Sequence, residues 1–96
     1  MEIIHLKNEN FEELINKKIL VDFYANWCGP CKMIAPELEK VESNLKVVKV
    51  DVDEFEDLAR TYGGMSIPTL ILLEDGKEVK RNIGFMDKDR IKKFID

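Results

Sequence analysis

The chain has 96 residues, two cysteines and a formal net charge of −4, with 45% hydrophobic and 35% charged residues. This suffices for one domain, residues 1–96, with a modest single core, and is too short for two. Charges of both signs are interspersed, which argues against nucleic-acid binding, and no apolar run approaches the roughly 18 residues of a membrane span.

Residues Glu2 to His5 read as a short strand. Asn8 or Asn10 can cap a helix in which Phe11, Leu14 and Ile15 share a face. Ile19 to Tyr24 is nearly continuous in apolar and aromatic residues, as expected of a strand covered on both sides. Ala25 to Pro30 breaks that pattern. Ile34, Leu38, Val41 and Leu45 then recur at helical spacing, with Pro36 a kink point. Val47, Val48, Val50 and Val52 mark a third strand, and Asp53 is placed to cap a short helix carrying Phe55, Leu58, Ala59 and Tyr62. Gly63-Gly64 ends that helix. Thr69 to Glu74 is another strand, and Asp75-Gly76 signals a hairpin into Glu78 to Ile83. After Gly84, Asp87 caps a last helix with Ile91, Phe94 and Ile95 inward. The order βαβαβαββα implies an α/β fold, with a mixed central sheet flanked by helices on both faces.

Cys28 and Cys31 sit where a buried strand hands over to a helix. Two sulfurs so close in sequence close a loop too short to stabilise much, so their value is chemical. Residues three apart on a helix are neighbours, and the sulfurs can bond with little backbone movement. A first-turn Cys28 meets unpaired N–H groups and the positive end of the helix dipole, which favour its thiolate. This makes Cys28 the nucleophile and the deeper Cys31 the group that resolves a mixed disulfide. Gly29 and Pro30 suit the first turn, where proline's missing N–H costs nothing. Zinc needs four ligands, and only these two cysteines and His5 are on offer. Two inert core cysteines are a poorer reading, given Gly-Pro between them at a strand–helix turn.

The run Val21-Asp22-Phe23-Tyr24-Ala25-Asn26-Trp27-Cys28-Gly29-Pro30-Cys31-Lys32 resembles the active-site signature of thioredoxins. Ser66-Ile67-Pro68-Thr69 resembles that family's cis-proline loop, and the element order matches along essentially the whole chain. Glutaredoxins tend to carry Pro-Tyr between the cysteines, and protein disulfide isomerases Gly-His.

Asp22, among apolar neighbours, is expected to be buried with a raised pKa. The resemblance implies that it lies below the cysteines and exchanges a proton with Cys31, directly or through water. Lys49 is either a strand-surface lysine or, as the resemblance implies, a neighbour that tunes Asp22. Lys32 reads as a solvated residue beside the site. Pro68 either opens a strand or, by resemblance, forms a cis bond with Ile67 that faces the cysteines. That bond leaves the Ile67 backbone free to pair with an extended substrate. Trp27, Met65, Ile67 and Gly84 would complete an apolar rim around Cys28.

Tyr24 stands where many thioredoxins carry tryptophan. Gly64 replaces a usual branched residue and is expected to leave a small gap or a looser loop. The last helical turn is expected to fray before Asp96.

The resemblance implies a protein-disulfide reductase that binds no cofactor or metal itself. Its electrons would come from a thioredoxin reductase that uses NADPH or reduced ferredoxin. Its partners would be that reductase and disulfide-containing proteins, and it would act as a monomer. The start of the chain shows no basic region followed by an apolar run, so a cytoplasmic setting is expected. A thiol oxidase or isomerase, and a redox-incidental binding module, are the competing readings.

Overall fold

Along Ile19–Tyr24 (β2) successive side chains point to opposite sides of a sheet, and all but the last residue are buried. The computed structural model describes residues 1–96, and its other strands are Glu2–His5 (β1), Lys46–Asp51 (β3), Thr69–Glu74 (β4) and Lys77–Ile83 (β5). The helices are Phe11–Leu14 (α1), Gly29–Lys40 (α2), Glu56–Tyr62 (α3) and Lys88–Ile95 (α4). The sheet order is β1-β3-β2-β4-β5, with β1, β3 and β2 parallel and β4 and β5 antiparallel.

Strand alternation divides the interior into two layers. Ile19, Val21 and Phe23 join Val48, Val50 and Ile71 against Phe11 before α1 ends and Ala59 of α3. Leu20, Val47, Leu70 and Leu72 join Ile34 and Leu38 of α2 and Ile91 and Ile95 of α4. Asp22 and Lys49 share the parity of Leu20 and Val47, so both project on the α2 side. Phe23 projects on the other side, toward α3.

Local sequence explains most element ends. Asn10, one of the two candidate caps, accepts from Glu13 N and starts α1. Asp87 does the same for α4 through Arg90 N. Gly63 ends α3 in a left-handed conformation with φ 67°, which an L side chain would resist.

Four expectations are corrected. Helix α2 runs through Pro36 but stops at Lys40, so Leu45 is not on it; Val41 is already extended, and Leu45 packs beside the α2/α4 layer from the connection. Asp53 does not cap α3. That helix starts after Phe55 with no side-chain cap, and the Asp53 carboxylate bonds elsewhere. Gly64 leaves no gap, because a Cβ there would fall 2.3 Å from Phe23 Cγ and the ring already fills the space. Nor does α4 unwind at its end: Ile95 is buried, and Asp96 N donates to Lys92 O at 3.2 Å.

Candidate active site

The break after β2 brings the chain into α2 with Cys28 at the N-cap, Gly29 and Pro30 at the first two helical positions, and Cys31 third. An N-cap side chain ordinarily offers an oxygen to the third amide of the helix. Here Cys28 Sγ is the acceptor, taking a hydrogen bond from Cys31 N at 3.2 Å. Pro30 brings no N–H to compete. The sulfur is thus held against an unpaired helical amide at the positive end of a twelve-residue helix.

Cys28 and Cys31 form a disulfide with a Cα–Cα separation of 5.2 Å. Both are buried, at 5% and 3% exposure, so depth alone hardly separates them. What separates them is position, since Cys28 caps the helix and Cys31 lies inside its first turn. Cys31 also lines a cavity of about 130 Å³ with Tyr24, Ala25, Asn26, Lys32 and Lys49. Larger surface hollows, such as the 420 Å³ one bordered by Glu13, Lys17, Lys18 and Lys46, contain neither thiol nor proline loop.

Asp22 is wholly inaccessible, and neither carboxylate oxygen has a hydrogen-bond partner. Its one charged neighbour is Lys49, whose Nζ lies 3.6 Å from Oδ2, an ion-pair distance longer than a hydrogen bond. Burial pushes the Asp22 carboxyl up from 3.8 to about 6, against the pull of the Lys49 ammonium. Lys49 is itself buried, with its ammonium 4.7 Å from the centre of the Tyr24 ring. The surface reading of Lys49 is therefore wrong. Lys49 joins Asp22 to the cavity that reaches Cys31.

On the outer side Trp27 is 70% exposed, and its Nε1 donates to Asp53 Oδ2 at 2.8 Å. Asp51 Oδ1 in turn accepts from Asp53 N at 2.9 Å, fixing the turn that carries that carboxylate. The Ile67–Pro68 peptide bond is cis. Pro68 is buried, Ile67 packs partly buried against the cluster that contains both cysteines, and Met65 is exposed. Gly84, at φ 103°, donates its N–H to Pro68 O at 2.8 Å, which ties the end of β5 to the proline. Lys32 is exposed beside the cavity.

Sequence reasoning missed Asp53 as the partner of Trp27 and Tyr24 as a wall of the Cys31 cavity. An aspartate just before an apolar helical run looks the same whether it caps that helix or reaches across to an indole. Tyr24, the last residue of a strand, gives no signal of the ammonium it faces. No group of three or more His, Cys, Asp or Glu side chains is gathered to hold a metal ion, and no helix is long and apolar enough to cross a membrane.

Residues 2–96 match the family model described as Thioredoxin. A thioredoxin of Bacillus subtilis is 44% identical over all of this chain and 97% of its own length. One from Chlamydia trachomatis is 47% identical over 94% of this chain and 92% of its own. Among solved structures, a mutant thioredoxin from Halobacterium salinarum superposes with a TM-score of 0.88 at 37% identity, covering 98% of this chain and 88% of that one. A thioredoxin from Nicotiana alata gives 0.80 at 39% identity, over 98% and 90%.

Proposed function

The chain belongs to the thioredoxin family, a protein-disulfide oxidoreductase by thiol–disulfide exchange, and from that membership we propose how its own residues divide the reaction. Reduced Cys28, as thiolate, attacks one sulfur of a substrate disulfide. A Cys28–substrate bond forms, and the other substrate sulfur leaves as a thiolate. Cys31 then loses its proton and attacks Cys28 Sγ, releasing the second substrate thiolate and leaving the Cys28–Cys31 bond. Two electrons pass to the substrate.

The observation that carries this reading is the sulfur cap. Cys28 Sγ faces the Cys31 amide at the head of α2, with Cys31 one turn away at bonding distance. Asp22 is the proton acceptor for Cys31, with Lys49 holding its charge in check. The support is a buried carboxyl whose pKa of about 6 leaves it mostly ionised at neutral pH, and a cavity shared by Cys31 and Lys49 that is roomy enough for water. Trp27, Gly29, Pro30, Met65, Ile67, Pro68 and Gly84 form the docking surface. An extended substrate pairs with the Ile67 backbone, so recognition tolerates many side chains.

A thioredoxin reductase drawing on NADPH or reduced ferredoxin restores the dithiol. The protein works as a monomer in a reducing compartment, the cytoplasm. Insulin reduction tests the division of labour. The unaltered protein should precipitate insulin B chain, Cys28→Ser should be inert, and Cys31→Ser should accumulate a mixed disulfide through Cys28. Turnover by Cys28→Ser at the unaltered rate would overturn the assignment. A redox-incidental binding module would leave all three proteins inactive.

A further inference from the structure

The segment between α3 and β4, which carries Met65, Ile67 and Pro68, has few anchors of its own. It leaves α3 through Gly63 and Gly64, neither of which offers a side chain. Gly64 N donates back to Ala59 O of α3 at 2.7 Å, and the other fixed points come from elsewhere in the fold. The Phe23 ring lies against Gly64. Thr69 Oγ1 donates to Ser66 O, and Gly84 N donates to Pro68 O.

A further hold is a side chain from β5. Arg81 Nη1 donates to Gly63 O at 2.9 Å, and Nη2 donates to Tyr62 O at 2.8 Å. On its other edge Arg81 Nε reaches Glu78 Oε2 at 2.8 Å, and Nη2 reaches Oε1 at 2.6 Å. The guanidinium therefore bridges a carboxylate and the last carbonyls of α3. Its planar fork fixes direction as well as distance, and its positive charge suits the negative end of a helix. The Arg81–Glu78 pair is partly exposed, and a pair in that setting adds little to stability. Its effect is to fix geometry: Glu78 orients the guanidinium, and the guanidinium holds the start of the loop.

We propose that Arg81 is a positioning residue for substrate docking, setting the Met65–Pro68 loop against Cys28 by gripping the Tyr62 and Gly63 carbonyls. This rests on the reading above that the Ile67 backbone docks an extended substrate. Substrates that lie along the loop need Arg81. Small disulfides that touch only Cys28 do not.

Pre-reduced protein is mixed with an extended peptide carrying a disulfide, and its oxidation is followed by the fluorescence of the single tryptophan, Trp27. Arg81→Gln should raise the half-saturating peptide concentration roughly three- to tenfold and move the limiting rate by less than about twofold. The second-order rate with hydroxyethyl disulfide should stay unchanged. Arg81→Lys keeps the charge but loses the fork, and should lie between the two. An unmoved half-saturation in Arg81→Gln overturns the proposal. So does an Arg81→Lys protein indistinguishable from the unaltered one alongside a defective Arg81→Gln, which would assign the effect to surface charge. A lower melting temperature with no contrast between the two substrates overturns it too, by leaving Arg81 a merely structural role. The same peptide, N-methylated along its main chain so that it cannot pair with the Ile67 backbone, runs in parallel on the unaltered protein. If N-methylation raises half-saturation while Arg81→Gln does not, only the Arg81 proposal fails; if N-methylation has no effect, the docking reading fails and the proposal falls with it.

Discussion

Asp22 and Lys49 stand opposite each other on neighbouring parallel strands, and the Lys49 ammonium ends 3.6 Å from the Asp22 carboxylate. That single long ion pair does not offset the burial of Asp22, whose pKa is raised from 3.8 to about 6. Between those two values the folded chain keeps a proton that the unfolded chain releases, so stability falls as pH rises. Above about pH 6 the full cost is in place, on the order of 3 kcal/mol.

Asp22→Asn removes that cost. The variant should be more stable than the unaltered protein at about pH 8, by on the order of 2–3 kcal/mol. The gap should close as pH drops toward 4. Urea unfolding of both oxidised proteins across that range measures it. A gap of the same size at both ends of the range would mean that Asp22 does not titrate as its burial dictates.

The same substitution should act oppositely on catalysis. Without a proton acceptor, Cys31 should resolve mixed disulfides at least about tenfold more slowly at neutral pH. The rise of that rate through pH 6 should disappear. Lys49→Met should instead keep the rise and move it to higher pH, because Lys49 is what lowers the Asp22 pKa. Single-turnover decay of a Cys28-linked peptide follows both effects. An unshifted profile in Lys49→Met would remove Lys49 from the proton path.

Strand and helix order was legible because each buried strand is nearly continuous in apolar residues and each helix shows its period. The same periodicity misled at Leu45, where a residue at helical spacing packs on the same layer from a connection. Cys28 and Cys31 stood out because their chemistry depends on local spacing. Asp53 and Arg81 did not, because what they hold lies 26 and 18 or 19 residues away in sequence, and nothing local marks a long-range hydrogen bond. Gly64 was misread for a related reason. A missing side chain looks like a gap until the neighbour that fills it, Phe23, is seen across the layer.

Cys28 should be the reactive thiol of the reduced protein. In Cys31→Ser, its alkylation by iodoacetamide should show a pKa below the roughly 8.5 of a free cysteine, because the amides at the head of α2 stabilise the anion. Its rate at neutral pH should exceed that of an unstructured peptide thiol. Equal rates would remove the electrostatic basis for assigning it as nucleophile.

Gly64→Ala puts a methyl group into the Phe23 ring, which is fully buried and lined by the layer under α3. The ring cannot yield without displacing its neighbours, so the variant should lose about 1–3 kcal/mol and melt on the order of 10 °C lower. Phe23→Leu alone should also destabilise, by leaving part of the ring's volume empty. Combined, the two should cost less than their sum, by about 0.5–3 kcal/mol, because the smaller side chain makes room for the methyl. Thermal melts of the four proteins complete the cycle. Strict additivity, or a Gly64→Ala protein that melts with the unaltered one, would show that the loop accommodates the methyl by moving rather than by pressing on Phe23.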